Sequence, residues 1–143
     1  MTSDWTYGVA IVTEGADHVV TVRDLPEVVT AGSSLEEALA LAADAIEVAV
    51  AGRMEDDEAL PRPSRPRKGE HPLALPAQLA AKASIYSAWK RAGLTKVELA
   101  RRLNRNEAEV RRILNPRHGT KLNHLEEAAH ALGGRLVVGF EEP

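Results

Sequence analysis

Cysteine is absent from the 143-residue chain. That excludes a disulfide framework, a Cys-ligated zinc site and thiol catalysis, and it suits a reducing cytoplasm, which is the expected location. Aromatic residues make up 3% of the chain, so the core has to be built from Ala, Leu and Val. No apolar run approaches the ~18 residues needed to span a bilayer, and no membrane partner is expected. Met1 to Trp5 lacks a basic run followed by an apolar one, so no signal peptide is expected. The glycines of residues 1–60 form no phosphate-binding loop. His18, His71, His118, His124 and His130 have no metal-ligand spacing; His124 and His130, six apart, fall on different faces of a helix. No carboxylate pair stands out from the general acidity, and Ser33 and Ser34 have no paired base. The chain is therefore expected to be no enzyme, with no catalytic residue, metal or cofactor.

The charge is unevenly distributed. The net charge is −3, yet residues 1–60 hold 13 acidic and two basic side chains, a balance of −11, and residues 61–143 hold eight acidic and 16 basic ones, a balance of +8. Such asymmetry implies two units with different partners. The basic half suits a polyanion, and the acidic half suits a basic protein.

The order of elements supports the division. Tyr7 to Val12 and His18 to Val22 read as strands joined by a hairpin turn at Glu14-Gly15-Ala16-Asp17. Pro26 interrupts, and Val28 to Ala31 is a third short strand ended by Gly32. Ser33 or Ser34, with Glu36 or Glu37 three residues on, forms a capping box. Leu35, Ala38, Leu39, Ala42, Ile46, Ala49 and Val50 then recur at helical spacing, and Gly52 stands where a left-handed C-terminal residue is expected. Residues 53–69 read as a Pro/Arg-rich linker, and His71 to Leu75 as a fourth strand returning to the sheet. The boundaries are then 1–60 for the acidic α/β module, 61–75 for the linker with its returning strand, and 76–143 for the basic unit.

Pro76 opens a helix running to about Ala92, with Leu79, Ala83, Tyr86 and Trp89 inward. Thr95 with Glu98, and Asn106 with Glu109, cap two short helices ending near Leu103 and Leu114. A last helix spans Leu122 to Leu132, and a strand is expected over Arg135 to Phe140. Two short helices joined by about three residues within a four-helix set predict a helix-turn-helix, with Val97, Ala100, Leu103, Val110 and Leu114 as its small core and Asn104 in the turn. The second helix would enter the major groove. It exposes Glu107, Ala108, Glu109, Arg111, Arg112 and Asn115, and Asn106 and Glu107 are DNA-binding candidates as well. Arg111 or Arg112 would meet guanine edges or phosphates, and Lys96, Arg101, Arg102, Arg117 and Lys121 would hold phosphates. A lone strand cannot satisfy its own backbone groups, so Arg135 to Phe140 is expected to pair with a second copy or dock elsewhere, giving a homodimer or higher oligomer.

These residues together resemble the HicB antitoxin family. The N-terminal match runs through Tyr7 to Val12, Val19 to Val22, Asp24-Leu25-Pro26, Thr30-Ala31-Gly32 and Ser34-Leu35-Glu36-Glu37-Ala38. The C-terminal match runs through Leu99-Ala100-Arg101-Arg102-Leu103, Val110-Arg111-Arg112-Ile113-Leu114 and Leu125 to Leu132. The resemblance implies an α+β chain: a partial ribonuclease H-like β-β-β-α-β module that binds and occludes a small basic HicA-like ribonuclease toxin, and a helix-turn-helix domain that represses its own operon by binding operator DNA. Glu14, Asp17, Asp24, Leu25 and Glu27 are the candidate toxin-binding residues. The chain departs from the family pattern at Arg105, where a hydrophobe is usual at the end of the turn. The alternative reading is a ligand-responsive helix-turn-helix regulator with no toxin partner. A metal-dependent nuclease and a protein-only adaptor are further rivals.

Overall fold

A computed structural model describes residues 4–143. It is an α+β protein in which the strands β1 (Thr6–Glu14), β2 (Asp17–Val22) and β3 (Val29–Gly32) are followed by helix α1 (Leu35–Glu55) and strand β4 (His71–Ala74). The helices α2 (Ala77–Ala92), α3 (Lys96–Leu103), α4 (Glu107–Leu114) and α5 (Leu122–Ala131) complete it. The chain divides into two compact units between Ala80 and Ala81, within α2.

The N-terminal unit is a four-stranded antiparallel sheet in the order β3-β2-β1-β4. The predicted hairpin forms with a two-residue turn, Gly15 taking φ 61°, and the predicted return of His71 places β4 beside β1. Strand alternation sends Tyr7, Val9, Val20 and Val22 to one face, where all four are buried. Helix α1 packs on that face, chiefly over β2 and β3. Gly32 is needed there because a Cβ would come within 2.6 Å of the Ala38 backbone nitrogen. Ser34 caps α1 by accepting from the Glu37 N–H, as the capping signal predicted.

Two sequence expectations fail in this unit. Gly52 does not end α1; the helix continues to Glu55, and Asp57 takes the left-handed turn at φ 60°. Burial of Met54 adds another turn to the apolar face, and that gain offsets a mid-helix glycine costing roughly 0.5–1 kcal/mol. Leu35, assigned to the inner face, is exposed at the first position of the helix. The stretch read as a linker is anchored to the sheet: Tyr7 donates to the Pro61 carbonyl at 2.9 Å, and Ser64 donates from N and Oγ to Asp24 at 2.7 Å each. Arg23 donates to Glu70 at 2.9 Å, and Glu70 also accepts from the Arg67 N–H at 2.7 Å. Residues 61–70 are thus a strap hydrogen-bonded to the sheet.

In the C-terminal unit α3, α4 and α5 pack against one another. The capping box of Thr95 and Glu98 is present in full, Asn106 caps α4 by accepting from the Glu109 N–H, and Asn104 takes the left-handed conformation at φ 54°. The core is built from Leu99, Ala100, Val110, Ile113, Leu114, Leu125 and Ala128. Val97, expected in it, is exposed; the 3.6-residue turn of α3 carries Leu99 inward instead. No strand forms over 135–140. These residues have no regular secondary structure and no ladder partners among the described residues, and Phe140 is 90% exposed. Among the described residues of its unit no strand offers an edge for it to pair with.

Candidate nucleic-acid interface and acidic partner face

Three residues, 104–106, join α3 to α4. Left-handed Asn104 allows the Asn104 and Arg105 N–H groups to close the end of α3 onto the Arg101 and Ala100 carbonyls at 3.1 and 3.0 Å. Arg105, the departure from the expected hydrophobe, donates to Glu109 of α4 at 3.1 Å and to Glu127 of α5 at 2.6 Å. Ion pairs from one guanidinium to two helices thus stand where an apolar contact is usual. They also tie down Glu109, which is therefore not free to read a base.

Lys82, which sequence reasoning missed, is the polar anchor of this unit. It is fully buried on α2, and its ammonium donates to the carbonyls of Arg112 and Ile113 at 2.9 Å each and to Thr120 Oγ1 at 2.7 Å. Burial pushes its pKa down to about 8. Three acceptors and the negative end of the α4 dipole keep the charged form occupied at neutral pH. A lysine among apolar residues was the available signal, since a buried lysine must be paired.

The predicted DNA-contacting residues fall into three groups. Arg101, Arg112, Arg117 and Lys121 are exposed. Arg111 is exposed but paired with Glu107 at 2.9 Å along one face of α4, an exchangeable surface contact. The others are engaged within the unit. Lys96 lies 5.8 Å from the Trp89 ring centre, Arg102 donates to the Ala131 carbonyl at 3.3 Å, and the Asn106 side chain caps α4. Arg112, Lys121, His118 and His124 line a cleft of about 240 Å³ beside α4, together with the mutually paired Arg105 and Glu109.

The predicted toxin contacts fare differently. Leu25 is fully buried and belongs to the core. Asp24 is held by Ser64, and Glu27 accepts from Arg53 at 2.7 and 2.9 Å, which holds its carboxyl below the usual range. Glu14 and Asp17 are exposed at the hairpin, with Glu14 on the sheet face opposite α1. Sequence reasoning passed over the place where most of the acid lies. Eight of the 13 carboxylates of residues 1–60 sit on α1 or just after it: Glu36, Glu37, Asp44, Glu47 and the run Glu55 to Glu58. Between them Leu41 and Val48, seven apart on one helix face, are solvent-exposed.

No helix among the described residues is long and apolar enough to cross a membrane, and no group of His, Asp and Glu among them could hold a metal ion.

The model of a family described as HicB-like antitoxins of bacterial toxin–antitoxin systems matches residues 6–84. Antitoxin HicB of Escherichia coli K12 is 34% identical over 121 residues, covering 85% of this chain and 88% of that protein. Antitoxin HicB 2 of Photorhabdus laumondii is 35% identical over 138 residues, covering 96% and 98%. Antitoxin HicB of Pseudomonas fluorescens Pf0-1 is 33% identical over 123 residues, covering 85% and 84%.

Proposed function

Since the chain belongs to the HicB-like antitoxin family of bacterial toxin–antitoxin systems, we propose that it works in the cytoplasm as a two-ended, non-catalytic antitoxin. One end neutralises a small, basic HicA-like ribonuclease toxin; the other binds operator DNA and represses the operon. The observation that carries this reading is the segregation of charge: −11 over residues 1–60 and +8 over the remainder.

The toxin-binding surface is the solvent face of α1, in place of the loop around Asp24 and Glu27. Asp24 and Glu27 are already engaged by Ser64 and Arg53, whereas Asp44 and Glu47 make no ion pair among the described residues and lie beside exposed Val48. Charge speeds the encounter with a cationic protein, and the apolar residues between the charges slow dissociation. Capture of the co-expressed toxin by the full chain tests this. Asp44→Lys with Glu47→Lys should weaken capture at least tenfold and leave the thermal midpoint unchanged; undiminished capture would remove α1 from the interface.

For DNA, α3 and α4 act as a helix-turn-helix in which α4 enters the major groove. Arg112 and, after release from Glu107, Arg111 reach base edges or phosphates. Arg101, Arg117 and Lys121 hold phosphates and set the register. The unpaired residues 135–140 form a strand only against a second copy, which supplies the dimer that a palindromic operator requires.

A further inference from the structure

The sheet face that α1 leaves uncovered is patterned for a second copy of this chain. Alternation along the strands places Val12, Val19 and Ala31 in one cross-strand row and Ala10, Thr21 and Val29 in the next. Val12 and Val29 are 58% and 67% exposed, and Thr21 and Ala31 are exposed as well. This is a contiguous face of β-branched and small side chains, with no lysine or glutamate inside it.

Its two ends carry opposite charge. Beyond the Val12 row, at the hairpin, lie Glu14 and Asp17, a directly opposed pair, both exposed. Beyond the Ala10 row the strap closes over Gly8, where an added Cβ would meet Glu70 at 2.5 Å and the Pro66 backbone at 3.3 Å. Here Arg23 and Glu70 neutralise each other, and the strap exposes Arg65, Arg67 and Lys68. Along the strand direction the face therefore runs acidic, apolar, apolar, basic.

We propose that two copies of the chain pack these open faces together, sheet on sheet, about a two-fold axis lying in the interface and perpendicular to the strands. A two-fold parallel to the strands would bring hairpin against hairpin and repel. The perpendicular axis sets Glu14 and Asp17 of each copy against the Arg65–Lys68 strap of the other, with the valine rows facing across roughly 10 Å, the usual spacing of stacked sheets. The self-complementarity also argues against a basic toxin as the occupant, because this face holds two carboxylates and three cations outside the neutral Arg23–Glu70 pair. The contact is independent of the 135–140 pairing, so an N-terminal and a C-terminal two-fold together build an assembly larger than a dimer.

Sedimentation velocity of the full chain over a concentration series tests this. Val12→Glu with Val29→Glu should halve the assembly mass, with an unchanged thermal midpoint. Glu14→Lys with Asp17→Lys should raise the dissociation constant of that step at least tenfold, and adding Arg65→Glu, Arg67→Glu and Lys68→Glu should restore it. An unchanged mass in the valine variant would overturn the proposal, as would failure of the reversed charges to rescue. Loss of toxin capture with mass unchanged would assign the face to the toxin instead. If α1 proves not to bind toxin, the mass result is unaffected, so the two readings fail separately.

Discussion

Lys82 and Glu70 each close a long-range hydrogen-bond set. Replacing Lys82 with Met keeps most of the side-chain volume but takes the ammonium donor from the buried Ile113 carbonyl, and removes one of the partners of the Arg112 carbonyl and the Thr120 hydroxyl. Unsatisfied buried acceptors cost about 1–3 kcal/mol, so chemical denaturation should report a loss of that size. Glu70 supports a pH prediction. The Arg23 hydrogen bonds and then the Arg67 N–H hold its carboxyl below its ordinary value of 4.5. A carboxyl with a depressed folded-state pKa contributes stability that is fully present above its unfolded value and is lost as pH falls through the folded one. Thermal midpoints of the parent and Glu70→Gln should therefore differ at pH 7 and converge as pH is lowered below about 4.5; a constant difference would show that the strap is held by other contacts. The sequence could flag a lysine at 82 among apolar residues but not its partners, which lie dozens of positions away, as does the Arg23 that holds Glu70.

Elements were legible where the signal was local. Ser34, Thr95 and Asn106 cap the helices they were expected to cap, and Gly15 turns the hairpin, because each acts within four residues of itself. Ends decided by tertiary burial were not legible: α1 runs past Gly52 because Met54 finds a place in the core. The tail failed for a different reason. Arg135 to Phe140 has strand chemistry, but a strand is a property of two segments, and this one has no ladder partner among the described residues. Deleting residues 135–143 should therefore abolish the C-terminal two-fold and weaken binding to a two-half-site operator far more than to a half-site. Equal effects on both would show that the tail is not a dimerisation strand.

At the scale of the molecule, the charge division could be counted from sequence, and its placement could not. The structure sets the acid on α1 and its exit, leaves the opposite sheet face near neutral and apolar, and pairs or buries Asp24, Leu25 and Glu27, three residues the sequence had nominated for the toxin. In the basic unit Arg112, Arg101, Arg117 and Lys121 are exposed, while Arg102, Lys96 and Asn106 are engaged in contacts within the unit. The proposed division of labour gives two oppositely charged partners two surfaces that share no residue. Its most direct test is to titrate the full chain, with and without Arg111→Ala and Arg112→Ala, against the DNA upstream of its reading frame and, in parallel, against the toxin. At roughly 1–3 kcal/mol per base contact, or about one unit of salt slope per phosphate contact, the double variant should bind the DNA at least tenfold more weakly while toxin affinity stays unchanged. Unaltered DNA binding, or equal loss of both partners, would contradict the division of labour.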